Sequence, residues 1–414
     1  MGYTSVAKDF GEISIKITTD YHWVYDDNRS GSYDDGSFYL PTNSDGYRPL
    51  GGVGQTGYSM PNTPLIMVKP SAAADSNNPP LVSPTTYKQI WNDTGAKGDH
   101  SGSFWLPTPP AGYVALGSVC VGGHTMPSTD LIYVVRKDLT MQGLPGAYIW
   151  DDNHSHADGN VRVHQIDVNP SLSQDAAGQK MAIKCGTFLA FAPNDDYPGP
   201  GVTPETNVLW IIIPSSDNGS DPSYVPVLTN YDIPQEDSKV FISKSAYIPF
   251  FGVTDDAGTG TGNDWKVQNT PFYELRRESV WHPELPQNNA TNGTAINLSE
   301  EVEFGVSQSV TDSFEASTSL EVSATTGIEV GPLTNEVTTN LTKAVGYSSS
   351  SNVSDFASKT DTVQYTVDPY HSGCYYLRMD TITLIRGNGT AVPNASISFP
   401  TTEHTASSYP NDTK

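Results

Sequence analysis

From Val302 to Val330 the apolar residues Val302, Phe304, Val306, Val310, Phe314, Ala316, Leu320, Val322, Ala324, Ile328 and Val330 all occupy even positions. The odd positions from Glu303 to Glu329 hold only Ser, Thr, Glu and Gly. In an extended chain successive side chains point to opposite faces, so this pattern predicts one ribbon with an apolar face and a polar face. At about 3.3 Å per residue the ribbon would reach about 95 Å, whereas strands of globular proteins are usually about 3–10 residues long. After Gly331-Pro332 the apolar residues Leu333, Val337, Leu341, Val345 and Tyr347 fall on odd positions, interrupted by Asn335, Thr339 and Lys343. A switch of parity is what a two-residue turn requires, so the pattern predicts an amphipathic hairpin from Val302 to Tyr347 with its tip near Gly331-Pro332 and Val330 opposite Leu333.

A strand that crosses a bilayer needs only about 9–11 residues, and the arms 318–330 and 333–345 meet that length. The row Leu320, Val322, Ala324, Ile328, Val330, Leu333, Val337, Leu341 and Val345 would then face lipid. A single hairpin leaves N–H and C=O groups unpaired along its edges, so insertion demands a ring of several copies of the chain. The opposite row carries Glu303, Glu315, Glu321, Glu329 and Glu336 and no basic residue, which predicts a cation-selective lumen. In water the apolar row must be covered, with 362–367 and 376–385 as the expected cover. The rival reading is a Ser/Thr-rich strand pair of an ordinary sandwich, bent around a stable core.

The first half repeats. Gly36-Ser-Phe-Tyr-Leu-Pro-Thr recurs as Gly102-Ser-Phe-Trp-Leu-Pro-Thr at an offset of 66, and the register holds at Met60-Pro61 against Met126-Pro127 and at Leu65-Ile66 against Leu131-Ile132. Upstream, Val24-Tyr25-Asp26-Asp27 pairs with Ile90-Trp91-Asn92-Asp93. A looser third copy opens at Ile149-Trp150-Asp151-Asp152, continues through Gly186-Thr-Phe-Leu and ends at Pro204-Glu-Thr-Asn-Val-Leu-Trp-Ile. Copies of about 20–70, 86–140 and 147–214 that cannot each bury an apolar face predict a shared core around a pseudo-threefold axis. The expected organisation is all-β: a β-prism-like head over 1–215, then an elongated β-sheet module over 216–414.

Each copy opens with acidic residues: Asp26, Asp27, Asp34 and Asp35, then Asp93 and Asp99, then Asp151, Asp152 and Asp158. Carboxylates in Gly-rich loops can hold a hard cation such as calcium or bond sugar hydroxyls. Equally, Asp and Gly are turn formers whose side chains bond their own backbone. No cofactor is otherwise expected, and His154, His156 and His164 read as ordinary loop histidines.

Composition narrows the function. The chain has 414 residues, more than one core usually holds, and a net charge of −24, which repels phosphate backbones and argues against a nucleic-acid partner. The three cysteines, Cys120, Cys185 and Cys374, match neither a disulfide framework nor a zinc site. No Gly-rich phosphate loop, Gly-x-Ser-x-Gly or His-Glu-x-x-His occurs, so an enzyme is not expected. The opening Met-Gly-Tyr-Thr-Ser-Val has neither a charged start nor an apolar run, so no signal peptide is expected. No apolar run of about 18 residues exists, so membrane entry would use strands.

Two resemblances follow from these residues. Gly112-Tyr-Val-Ala-Leu-Gly-Ser-Val, with Met126-Pro127, Val134-Val135-Arg136-Lys137-Asp138-Leu139 and the aromatic-Asp-Asp segments, resembles the vacuolar-sorting-related β-tripod family of plants and fungi. That resemblance implies a recognition head whose ligand, a cell-surface receptor such as a glycan or glycoprotein, these residues do not fix. The alternating segment, flanked by Tyr273-Glu-Leu-Arg-Arg-Glu-Ser-Val-Trp281 and Cys374-Tyr-Tyr-Leu-Arg-Met-Asp-Thr-Ile-Thr-Leu-Ile-Arg386, is similar to the pore-forming module of aerolysin-like toxins. It implies a chain released in soluble form that docks outside the target cell, assembles with copies of itself and inserts the hairpin as a β-barrel, as insecticidal or cytolytic toxins do. The alternative kept beside it is a carbohydrate-binding or recognition protein without pore activity. The polar tail 401–414 reads as loosely held and removable by proteolysis.

Overall fold

The computed structural model describes residues 2–171, 179–192, 205–217, 225–255, 262–330, 337–347 and 354–411. The chain is nearly all β, as expected: among the described residues only Asn263–Asn269 and Gln308–Thr318 are α-helical.

Each copy of the repeat contributes three antiparallel strands. They are Tyr21–Asp26, Gly36–Pro41 and Val53–Thr56 in the first, Thr86–Asn92, Gly102–Thr108 and Val119–Gly122 in the second, and Thr140–Asp151, Arg162–Val168 and Phe188–Phe191 in the third. The apolar faces meet in one cluster that draws Tyr25 and Phe38 from the first copy, Trp91, Phe104 and Cys120 from the second, and Trp150, Val163 and Phe188 from the third. At its centre three backbone hydrogen bonds close a cycle: Gly52 N donates to Ser118 O (2.9 Å), Ser118 N to Phe188 O (2.8 Å) and Phe188 N to Gly52 O (3.3 Å). Each copy thus satisfies a backbone group of the next, which an isolated copy would leave buried and unpaired.

This cycle sets the register of the third copy: Phe188 is the counterpart of Gly52 and Ser118 at the axis. The counterpart of Gly36 is Val161, because Asp27 N donates to Gly36 O, Asp93 N to Gly102 O and Asp152 N to Val161 O. The aromatic-Asp-Asp segments explain themselves in the same cycle. An added Cβ on Gly36 would lie 2.6 Å from the Trp150 ring and one on Gly102 would lie 2.3 Å from the Tyr25 ring, so at two of the three junctions one copy's aromatic occupies space that the next copy's glycine leaves free.

The third copy's sheet does not end with the repeat. Lys180–Ile183 pairs with Asn207–Ile212 on one side and with Val337–Asn340 on the other, and Gly327–Val330 and Leu320–Ser323 extend the same sheet. A second, antiparallel sheet runs Ser215–Asp217, Phe241–Pro249, Phe272–Asn288, Ser372–Ile385 and Ala391–Tyr409. Its last strand corrects the reading of the tail: residues 404–409 pair with Ser372–Leu377 and Thr401 is fully buried, while 412–414 lie outside the described residues. Ladder hydrogen bonds hold a Ser/Thr-rich segment that has few apolar side chains to advertise a strand.

The long ribbon is also corrected. Ile296–Phe304 is a strand paired with Lys359–Val367, but Gly305 turns the chain at φ 81°, residues Gln308–Thr318 are helical, and Ser319 turns it again at φ 59°. Leu320–Ser323 and Gly327–Val330 then form a tight hairpin with Leu320 opposite Val330 and Val322 opposite Ile328. Val330 pairs with Thr339, where the two-residue turn put Leu333 opposite it; Gly331, Pro332, Leu333 and Glu336 lie outside the described residues. Folding the ribbon into short pieces lets a small core bury what one 29-residue strand could not.

Gly36→Ala is expected to cost about 1–3 kcal/mol through the clash with Trp150. Gly122→Ala, whose nearest contact is 3.5 Å away, should stay within about 0.5 kcal/mol. Urea midpoints at unchanged m-value check the pair.

Candidate insertion segment and acidic loops

The segment 302–347 carries most of the candidate chemistry, and its apolar row is hidden. Leu320, Val322, Ile328, Val330, Val337, Leu341, Val345 and Tyr347 are all buried, whereas Ala324 is exposed at the turn of the small hairpin. They share one cluster with Ile382 and Leu384, as the expected cover 376–385 requires, and with Met181, Ile183, Leu209 and Ile211 of the third copy. Val302 and Phe304 pack separately with Val363 and Leu377, so 362–367 covers that end. The contribution of the third copy was not legible, because nothing in the sequence of 180–183 marks it as a partner of 337–340.

The polar row stays at the surface or bonds locally. Glu303 accepts from Ser358 Oγ (3.0 Å), Glu315 Oε1 from the Val322 amide (2.8 Å) and Glu329 Oε1 from Asn340 Nδ2 (2.9 Å), while Glu321 is exposed. Glu321 and Glu329 stand directly opposite each other in the hairpin, an arrangement of like charges that weakens it.

The helix Gln308–Thr318 fits its sequence poorly. Ser309, Ser313, Ser317, Val310 and the two threonines are weak helix formers. Of its apolar period-two residues only Phe314 is buried, and Val310 is 39% exposed. Val310 and Phe314 stand four residues apart on the same side of the helix, yet only Phe314 reaches the core.

At its far end the segment is tied to the second sheet by residues that sequence reasoning left unassigned. The Tyr347 hydroxyl donates to Asp380 Oδ2 (2.7 Å), Arg277 Nη1 donates to Gly346 O (3.3 Å) and its guanidinium lies 4.8 Å over the Tyr347 ring. Asp380 is 0% exposed and also accepts from Ser279 Oγ (2.7 Å) and Arg378 Nη2 (3.1 Å). Burial, chiefly, pushes the Tyr347 phenol up, which keeps it a donor to the carboxylate.

The acidic loops turn their carboxylates to the protein's own donors. Trp150 Nε1 donates to Asp27 Oδ2 (2.9 Å) and Trp91 Nε1 to Asp152 Oδ2 (2.8 Å), one copy to the next, and burial pushes both carboxyls up. Asp26 accepts from Trp23 Nε1 (3.0 Å) and lies 2.6 Å from His100 Nδ1; Asp93 lies 2.5 Å from His124 Nε2. Tyr148 donates to Asp34 (2.7 Å) and Tyr58 to Asp35 (2.9 Å). Arg162 bonds Asp151 (2.7 Å) and Arg29 pairs with Asp99 (3.4 Å). The Asp158 amide donates to Thr94 O (2.8 Å). Among the described residues no three His, Cys, Asp or Glu side chains converge as a metal set. The geometry is that of turns and of bonds within and between copies, with the His154 ring 3.7 Å from the exposed Tyr33 ring and tilted at 40° to it. Among the described residues no helix is long and apolar enough to cross a membrane.

Comparison with known proteins finds both resemblances read from the sequence. Residues 1–201 match the family model of vacuolar protein sorting-associated protein 62, and residues 240–410 match that of Insecticidal Crystal Toxin, P42. No curated protein sequence matches the chain. Among solved structures, GNIP1Aa from Chromobacterium piscinae is 22% identical over 45% of this chain and 34% of its own, with a TM-score of 0.36. Cry35Ab1 is 12% identical over 98% of this chain and 91% of its own, with a TM-score of 0.37. The chain therefore joins a segment that resembles the vacuolar protein sorting-associated protein 62 family to a segment that resembles the P42 insecticidal crystal toxins.

Proposed function

We propose that the chain is a pore-forming toxin, directed at insects, that docks through residues 1–215 on a cell-surface glycan or glycoprotein. It then assembles with copies of itself and inserts 302–347 into the target membrane as part of a β-barrel. The match of 240–410 to an insecticidal toxin family supports the class of activity.

One observation carries the mechanism: a segment with unbroken β periodicity is held partly as a helix. Local preference and adopted structure disagree over Gln308–Thr318, and such disagreement marks an element that is stable only in its present surroundings. The like-charged pair Glu321 and Glu329 adds to the strain of the resting state. In a barrel both conflicts are relieved. Positions 302–330 regain one apolar face, the tip lies near Gly331-Pro332, and the carboxylates face a wet lumen where water solvates them.

The chain should admit an otherwise excluded dye into cultured insect midgut cells and should form cation-selective channels in planar bilayers. Glu321→Gln with Glu329→Gln should move the reversal potential toward zero without abolishing conductance. Binding to the cells with no dye entry would leave a recognition protein in place of a toxin.

Replacing Ser309 and Ser313 by Ala raises helix propensity on the exposed side of Gln308–Thr318. The resting state should gain about 0.5–1 kcal/mol in all, and pore formation should slow without loss of cell binding. Stopped-flow dye entry reads this, and an unchanged or faster rate would show that the helix does not have to unfold.

A further inference from the structure

Release of the insertion segment has to break a strand pair that belongs to the repeat region. Lys180–Ile183 holds Val337–Asn340 by backbone pairing, Ala182 opposite Thr338 and Ile183 opposite Val337, and Thr339 Oγ1 donates to Lys180 O (3.0 Å). Among the described residues the small hairpin Leu320–Val330 joins the sheet through Val337–Asn340 alone, since the strand order places 337–340 between it and 180–183. Val337 is fully buried, and a Cβ on Gly252 would stand 3.1 Å from it, so the strand also fills a fitted space against the turn Phe250–Gly252.

The contact carries a built-in weakness. The Thr338 Oγ1 atom is buried with no hydrogen-bond partner among the described residues. A buried hydroxyl without a partner costs free energy that an apolar group of the same shape would not. The strand pair is therefore held below the strength its packing would allow.

We propose that Lys180–Ile183 is a catch: the third copy of the repeat keeps the insertion segment folded, and the segment leaves only after this strand pair opens. Docking of the repeat region on its target shifts Lys180–Ile183 and so couples binding to release. The unpaired Thr338 hydroxyl sets the catch to open within the range that docking supplies. This rests on the pore reading above, and it assigns the trigger to the binding region in place of proteolysis of the tail.

Two variants test it. Ala182→Cys with Thr338→Cys joins partners that face each other in an antiparallel pair, where Cα atoms are about 4.5–5.5 Å apart, within the span a disulfide bridges. Mass spectrometry confirms the bond. The oxidised chain should bind insect midgut cells as the native chain does and admit no dye, and reductant should restore entry. Oxidised chains that admit dye at the native rate would overturn the catch. Thr338→Val, which removes the unpaired hydroxyl, should slow dye entry about fivefold or more at unchanged cell binding; an unchanged rate counts against the proposal. If neither the native nor the reduced chain admits dye, the pore reading fails, and hydrogen exchange on the full chain in solution judges the catch alone. Val337→Ala should then speed exchange of the amides of 320–323 and 327–330 together with those of 337–340, whereas loss of protection confined to 337–340 would overturn it.

Discussion

The constraint on which the structure depends is the concealment of one apolar row. A segment whose apolar residues all fall on even positions and whose odd positions are Ser, Thr, Glu and Gly cannot rest in water as an open ribbon, because its apolar face would be a template for aggregation. The fold answers by breaking the segment into a strand, a helix and three short strands, each short enough for a neighbouring layer to cover. The cover comes from two directions: Ile382 and Leu384 of the five-stranded sheet, and Met181 and Ile183 of the third repeat copy. The second source ties the region that resembles a vacuolar-sorting protein to the region that resembles a toxin, in one continuous sheet and one apolar cluster.

The repeat region is built on a different logic, that of closure. Three backbone bonds among Gly52, Ser118 and Phe188 and two indole-to-carboxylate bonds, Trp150 to Asp27 and Trp91 to Asp152, hand each copy on to the next. Of the acidic residues that look like a ligand set in the sequence, Asp27, Asp34 and Asp152 bond donors of the neighbouring copy and Asp35, Asp93 and Asp151 bond groups of their own.

Much of this was legible in the sequence, for identifiable reasons. The alternation of 302–330 and the offset of 66 between the first two copies are periodic signals, and periodicity survives without knowledge of the fold. The burial of Leu320, Val322, Ile328, Val330, Val337, Leu341 and Val345 followed from the same pattern. What was not legible depends on long-range packing. The helix at Gln308–Thr318 overrides the local β pattern because Phe314 finds the core while Gly305 and Ser319 supply turns at positive φ. The third copy reads only loosely because its insertion falls between the strands Arg162–Val168 and Phe188–Phe191, which breaks the offset that aligns the others. The tie of Tyr347 to Asp380 and Arg277 has no local signature, since 33 residues separate the first pair.

The most direct test of the central claim is a cysteine scan of positions 318–330, each site labelled with an environment-sensitive fluorophore and read before and after contact with the target membrane. The account predicts that labels at Leu320, Val322, Ile328 and Val330 pass from the protein interior to a lipid environment quenched by bilayer-embedded quenchers, while labels at Glu321, Ser323 and Glu329 remain open to aqueous quenchers. Labels that keep their resting spectra at every position, or that show no alternation between even and odd sites, would contradict it.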